Sequence, residues 1–207
     1  MLEVSDVTCV RGERTLFSRV SAALDKGTLL RVAGANGSGK TSLLRIICGL
    51  ALPAEGEVRW EGIDIRSQRE EYAKHLVYVG HLNAVKDDLT ALENLDIAAV
   101  LSGRPIDTDT GLAALSELGI AHCAALPGRV LSHGQRRRVA LARLTASKSA
   151  SLWVLDEPFT ALDAASVTYL ETLIGNQLAR GETVLLTTHQ EVRILAPIQQ
   201  RIDLGAC

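Results

Sequence analysis

"TLLRVAGANGSGKTSLLRIICGL", residues 28–50, decides the fold. A short apolar run enters a glycine-rich loop, and the loop opens a segment of helical period. Inside it, "GANGSGKT", Gly34 to Thr41, satisfies G-x-x-x-x-G-K-[ST] at every fixed position. Chance produces such a match in on the order of one chain of this size in a hundred. A strand before it and a helix after it make coincidence rarer still. Glycines let the backbone close around phosphate oxygens and aim N–H groups at them from a helix N-terminus. Lys40 is expected to bridge the β- and γ-phosphates and Thr41 to ligate Mg2+. Gly34, Ala35, Asn36, Gly37, Ser38, Gly39, Lys40, Thr41 and Ser42 are therefore the candidate nucleotide-binding residues. The helix that follows should turn Leu43, Leu44, Ile47 and Leu50 to one side.

Downstream, "LWVLDEP", residues 152–158, reads as a buried strand ending in two acids. Ligands of open α/β sheets bind at the carboxyl ends of the strands, so Asp156 is expected in the Mg2+ shell. Glu157 is placed to orient and deprotonate an attacking water, a role worth roughly 10²–10⁴ in rate. The N-K-x-D signature of guanine recognition is absent from the sequence, which points away from GTPases.

Further strands are read at "EVSDVTCV", "TLFSRVSAAL", "GEVRWEG", "HLVYVG", "ETVLLTTH" and "QRIDLG". Helices are read at "TALENLDIAAVL", which opens on a Thr90–Glu93 capping box, at "GLAALSELG", which stops at Gly119, and over residues 164 to 180. Strands separated by helices predict an α/β fold with a mainly parallel sheet flanked by helices. One domain is expected, with a core of about residues 1–80 and 148–207 and a helical lobe of about 81–147.

The 22 basic and 24 acidic residues nearly cancel, so no general nucleic-acid binding face is expected. Cys9, Cys48, Cys123 and Cys207 form no C-x-x-C pair and read as reduced thiols. The acidic N-terminus does not read as a secretory signal, and no apolar run approaches the ~20 residues of a membrane span. Any membrane role would need a partner.

"LSHGQRRRVALARL", residues 131–144, opens a helix with Ser132 and Gln135 spaced as a second capping box. Gly134 leaves its N–H approachable, and the helix dipole adds partial positive charge there. A second anion site is expected on a chain that already has one. Val139, Ala140, Leu141 and Leu144 should face inward. The three arginines are read as solvated charge and lobe packing.

"GANGSGKT", "LSHGQRRRVALAR", "LWVLDEP", "ALD" and "TTH" stand in the order of the ATP-binding-cassette (ABC) ATPases, and the chain resembles that family over nearly its whole length. The resemblance implies a P-loop nucleotide-binding domain with added N-terminal antiparallel strands, and hydrolysis of ATP with Mg2+. It implies that Ser132, Gly134 and Gln135 touch the ATP held by a second copy of the chain, in a head-to-tail dimer that sandwiches two nucleotides. It also implies that His189 contacts the γ-phosphate and steadies the attacking water, and that Asp163 communicates between the two sites.

Three positions depart from the family pattern. His81 stands where Gln is usual; neutral imidazole is a poorer Mg2+ ligand than oxygen, so His81 is expected to couple nucleotide state to a partner instead. His133 replaces a glycine and is expected to point away from phosphate. Arg11 replaces a stacking aromatic, and its guanidinium plane can lie on adenine. "VYVGH", "QRRRVALARL" and "TTHQ" resemble the branch that serves bacterial cytochrome c maturation. That implies a small polytopic membrane subunit as partner, a place on the cytoplasmic face of the inner membrane, and ATP-driven haem export or haem-chaperone release. The alternatives are service to another transported substrate, or a nucleotide-gated module with little hydrolysis.

Overall fold

Hydrophobic patterning divides the strands into two kinds. The computed structural model describes residues 1–147 and 149–205; Cys207 lies outside the described residues. In chain order the elements are β1 (Leu2–Arg11), β2 (Arg14–Leu24), β3 (Thr28–Gly34), α1 (Lys40–Ile47), β4 (Glu55–Trp60), β5 (Ile63–Asp64), α2 (Arg69–His75) and β6 (Leu76–Val79). There follow α3 (Ala91–Leu101), α4 (Thr108–Glu117), α5 (His133–Ala146), β7 (Leu152–Asp156), α6 (Ala164–Ala179), β8 (Thr183–Thr187) and β9 (Ile198–Leu204).

β7 and β8 are buried at every residue, as strands covered on both faces must be. They sit inside a parallel sheet of order β6-β7-β8-β3-β9. The two-residue period of a strand sends alternate side chains to opposite faces. Leu152, Val154 and Leu185 pack on the α1 side, while Trp153, Leu155, Val184 and Leu186 join the cluster that includes Leu95, Leu115, Leu141 and Ile174 of the helices. β1 and β2 instead alternate, and with β4 and β5 they form an antiparallel sheet of order β2-β1-β4-β5.

Local signals set the helix ends. Thr90 Oγ1 accepts from Glu93 N at 3.2 Å while Glu93 Oε2 accepts from Thr90 N at 2.7 Å, so α3 starts on its capping box. Gly119, at φ +69°, follows the end of α4. α3, α4 and α5 pack on one another.

One expectation needs correction, and one helix was not foreseen. α1 ends at Ile47, because Gly49 takes φ +70° and the Leu50 N–H turns back to Arg45 O at 2.8 Å. Leu50 is therefore exposed, and Ile46 fills the inner face instead. α2 has no counterpart in the sequence reading, because seven residues with Tyr72 alone buried show no helical period. Tyr72 pins it by donating to Ile47 O at 2.8 Å and packing against Trp60.

Candidate functional site

The carboxyl ends of β3, β7 and β8 meet the N-terminus of α1. Gly34 lies at φ +144° and Gly39, which precedes Lys40, at φ +99°, so the loop turns through backbone space that L side chains rarely adopt. A Cβ on Gly34 would stand 2.6 Å from both Leu204 O and Ser38 Oγ, and one on Gly39 would stand 2.8 Å from Phe17 Cδ1. α1 carries no acidic residue in its first turn, so its unpaired N–H groups and dipole face the cleft without a competing anion. Lys40 Nζ reaches back over the loop to Gly34 O at 2.8 Å and Ala35 O at 3.1 Å.

Strand register supplies the acidic side. Asp156 and Thr187 are partners across β7 and β8. Asp156, 2% exposed, accepts from Thr41 Oγ1 at 2.7 Å on one oxygen and from Thr187 Oγ1 at 2.7 Å on the other. Thr187 Oγ1 also accepts from Glu157 N at 2.9 Å. Glu157 is a non-glycine residue at φ +49°, a conformation of the kind found where structure over-determines a functional turn. Its Oε2 accepts from His189 N at 3.3 Å, while Oε1 is buried without a hydrogen bond, 3.4 Å from His189 Nε2.

Gly39, Lys40, Thr41, Asp156, Glu157 and His189 line one cleft of about 610 Å3, together with Arg11, Asn36, Gly37, Ser42, His81 and Gln190. All the residues read as nucleotide-binding, catalytic or metal-ligating are thus in the cleft or in the loop and strand ends that wall it. A second cavity, about 450 Å3, opens at the other end of the sheet beside Ser151 and Thr183 and contains none of the motif residues.

Ser132, Gly134 and Gln135, read as contacts to the nucleotide of a second copy, do not line the cleft. Ser132 caps α5, accepting from Gln135 N at 3.2 Å while Gln135 Oε1 accepts from Ser132 N at 2.8 Å. Ser132 and His133 are exposed. A Cβ on Gly134 would meet Ala161 O at 3.1 Å, so the glycine also serves packing within the chain. Asp163 caps α6 by accepting from Ser166 N at 2.9 Å and pairs with Arg138 at 2.6 Å.

The three arginines do not share one fate. Arg136 pairs with Asp87 at 2.7 Å, and Arg138 with Asp163. Arg137 is 2% exposed and reaches out of the helical segment altogether. Its Nη2 donates to Asp156 O at 3.1 Å and Glu157 O at 2.8 Å, its Nε to Pro158 O at 3.2 Å, and its Nη1 to Gly80 O at 2.9 Å and Asn83 Oδ1 at 3.2 Å. Burial pulls the guanidinium below its ordinary pKa, and the Asp156 and Glu157 charges act against that. Each hydrogen bond to a charged group is worth roughly 1.5–3 kcal/mol, so five of them offset much of the several-kcal/mol cost of burying a cation.

A profile of the ABC transporter family matches residues 17–160. The chain is 51% identical over 203 residues, 98% of each chain, to the cytochrome c biogenesis ATP-binding export protein CcmA of Nitrosospira multiformis. It is 46% identical over 206 residues, 100% of each chain, to CcmA of Pseudomonas aeruginosa. An ATP-binding cassette solved as a dimer in a post-hydrolysis state with ADP and Pi superposes with a TM-score of 0.81, at 26% identity over 92% of this chain and 88% of that one. The chain belongs to the ABC transporter family.

Two residues of this cassette escaped the sequence reading. Thr187 had a visible signal, since it stands one strand across from Asp156 and two residues before His189. Arg137 had none: its partners are four backbone carbonyls and one amide oxygen, and carbonyls look alike in any sequence.

Proposed function

We propose that the chain is the ATP-hydrolysing subunit of a membrane ABC complex for cytochrome c maturation, coupling hydrolysis to haem export or haem-chaperone release. One observation carries the hydrolytic part. Glu157 lines the cleft beside the phosphate loop, and its Oε1 makes no hydrogen bond within the chain, which leaves that oxygen uncommitted for a proton acceptor's role. The near full-length likeness to two CcmA proteins supports the cytochrome c part.

ATP fits the cleft with its phosphates on the N–H groups of Gly34–Ser42 and on Lys40, and with Arg11 beside the base. Mg2+ suits a hydroxyl and a carboxylate as ligands, since it takes one or two protein oxygens plus substrate phosphates. Thr41 and Asp156 offer that pair at 2.7 Å, and the metal supplies neutralisation of charge on the phosphate oxygens. Glu157 orients water and takes its proton, and His189, anchored through its own N–H to Glu157, reaches toward the γ-phosphate. Ser132, Gly134 and Gln135 contact the nucleotide of a second copy, and Asp163 and His81 relay its state. Residues of about 81–147 act as one lobe against the core.

The partner is a small polytopic membrane subunit. Among the described residues no helix is long and apolar enough to cross a membrane. The likeness to CcmA proteins supports a peripheral place on the cytoplasmic face of the inner membrane. Leu82, next to His81, and Leu101 are over 80% exposed and offer apolar contact to such a partner.

Haem-stained gels of membranes from a deletion strain test the assignment. All c-type cytochromes should vanish, and the wild-type gene should restore them while Glu157→Gln should not. Normal c-type cytochromes in the deletion strain would keep the ATPase and sink the haem role. Phosphate release equal in wild type and Glu157→Gln would remove the catalytic role of Glu157.

A further inference from the structure

Two segments far from α5 in the chain converge on its Arg137: the strained turn after β7 and the Gly80–Asn83 loop. A guanidinium has five N–H donors in a planar fork, and all five find acceptors, none of them a carboxylate oxygen. The choice of acceptors matters chemically. A cation on the Glu157 carboxylate would tie up the oxygens that must receive a proton. Arg137 instead takes the carbonyls of Asp156, Glu157 and Pro158, which leaves Glu157 Oε1 without a hydrogen bond. From the other side, Thr187 Oγ1 holds the Glu157 N–H. The left-handed Glu157 backbone is thus gripped at both its N–H and its C=O.

We propose that Arg137 is a positioning residue of the hydrolytic step: it locks the Asp156–Pro158 turn and the Gly80–Asn83 loop to the helix that starts at Ser132. The proposal deepens the function above and rests on Glu157 as the base. It gives the helix start, read as the contact to the partner's nucleotide, a rigid link to the carboxylate of its own cleft. Arg137 lies five residues beyond Ser132 on the same helix, so movement of α5 carries the fork and the turn with it.

The experiment is a double-mutant cycle on the full chain, read by single-turnover hydrolysis of radiolabelled ATP and by affinity for a fluorescent ATP analogue. The variants are Arg137→Lys, Glu157→Gln and the two together. Lysine keeps the charge and loses the planar fork. Arg137→Lys should slow hydrolysis by about 10²-fold, the scale of a small misplacement of a reacting group, with nucleotide affinity changed less than about twofold. The double variant should be no slower than Glu157→Gln alone, because residues that act through one another are non-additive.

Arg137→Lys hydrolysing within threefold of wild type would overturn the proposal, as would two effects that multiply, or loss of nucleotide affinity in parallel with rate. Failure of the underlying reading looks different, because Glu157→Gln would then hydrolyse like wild type. If Arg137→Lys does not fold, Arg137→Gln goes through the same cycle with the same criteria. Failure of both to give folded protein by circular dichroism would assign the guanidinium to stability alone and overturn the positioning role.

Discussion

At Thr187 a single hydroxyl serves two masters, donating to Asp156 Oδ1 and accepting from Glu157 N. Valine has the same shape and neither function, so Thr187→Val strands a buried N–H and a carboxylate oxygen. The cost is about 1–3 kcal/mol for an unsatisfied buried group, read as a lower urea midpoint, together with slower ATP hydrolysis. Thr187→Ser should recover most of both; a serine variant no better than valine would mean the methyl, not the hydroxyl, matters. Gly39 invites a second comparison. Alanine there meets Phe17 Cδ1 at 2.8 Å as well as the strain of φ +99°, whereas Gly12, at φ +62°, has nothing within 4 Å of an added Cβ. Backbone strain alone is about 1–2 kcal/mol. Gly39→Ala should therefore melt below Gly12→Ala, and only Gly39→Ala should weaken nucleotide binding. Equal melting temperatures would show that Phe17 gives way.

At the level of elements, helix starts do double duty. The cap that begins α6 is also one end of the pair joining α6 to α5. Two hydrogen bonds from Ser166 hold the Asp163 carboxyl below the usual carboxylate range, with the Arg138 charge adding to them. A folded pKa below the unfolded one stabilises the fold above the unfolded value, about 3.9 for Asp, and that contribution disappears as pH falls through the lowered value. The difference in urea midpoint between wild type and Asp163→Ala should accordingly hold steady from pH 7 to 5 and shrink below about pH 4. A difference that grew on acidification would contradict this. Ser132 at the start of α5 has no such titration, so its cap persists through the same range.

For the whole molecule, the two sheets and the packed helices leave the phosphate loop open on one side and the Ser132 helix start exposed elsewhere. Ser132, Gly134 and Gln135 do not line the cleft that holds the phosphate loop, so on the proposed function they can reach only the nucleotide of another copy. ATP should therefore act as the bond between two copies. In Mg2+ and ATP, Glu157→Gln, expected to bind normally and hydrolyse roughly 10²–10⁴-fold more slowly, should elute from a sizing column as a dimer, and Lys40→Ala as a monomer. Monomers for both variants would remove the sandwich from the mechanism.

Much of the site was legible in the sequence because its signals are local. A backbone that wraps phosphate needs glycine where φ is positive, and a capping box needs its two side chains three residues apart. Both are matters of spacing along one short stretch. An apolar strand ending in Asp156 and Glu157 is equally contiguous. Arg136, Arg137 and Arg138 mark where that legibility stops. Successive residues on a helix point about 100° apart, since a turn takes 3.6 residues. Three identical side chains therefore reach an exposed aspartate, the carbonyls of the turn after β7 and a helix cap. Which one reaches which was decided by how α5 packs against β7, and by carbonyls 19 to 57 residues away whose acceptor chemistry is the same in every residue.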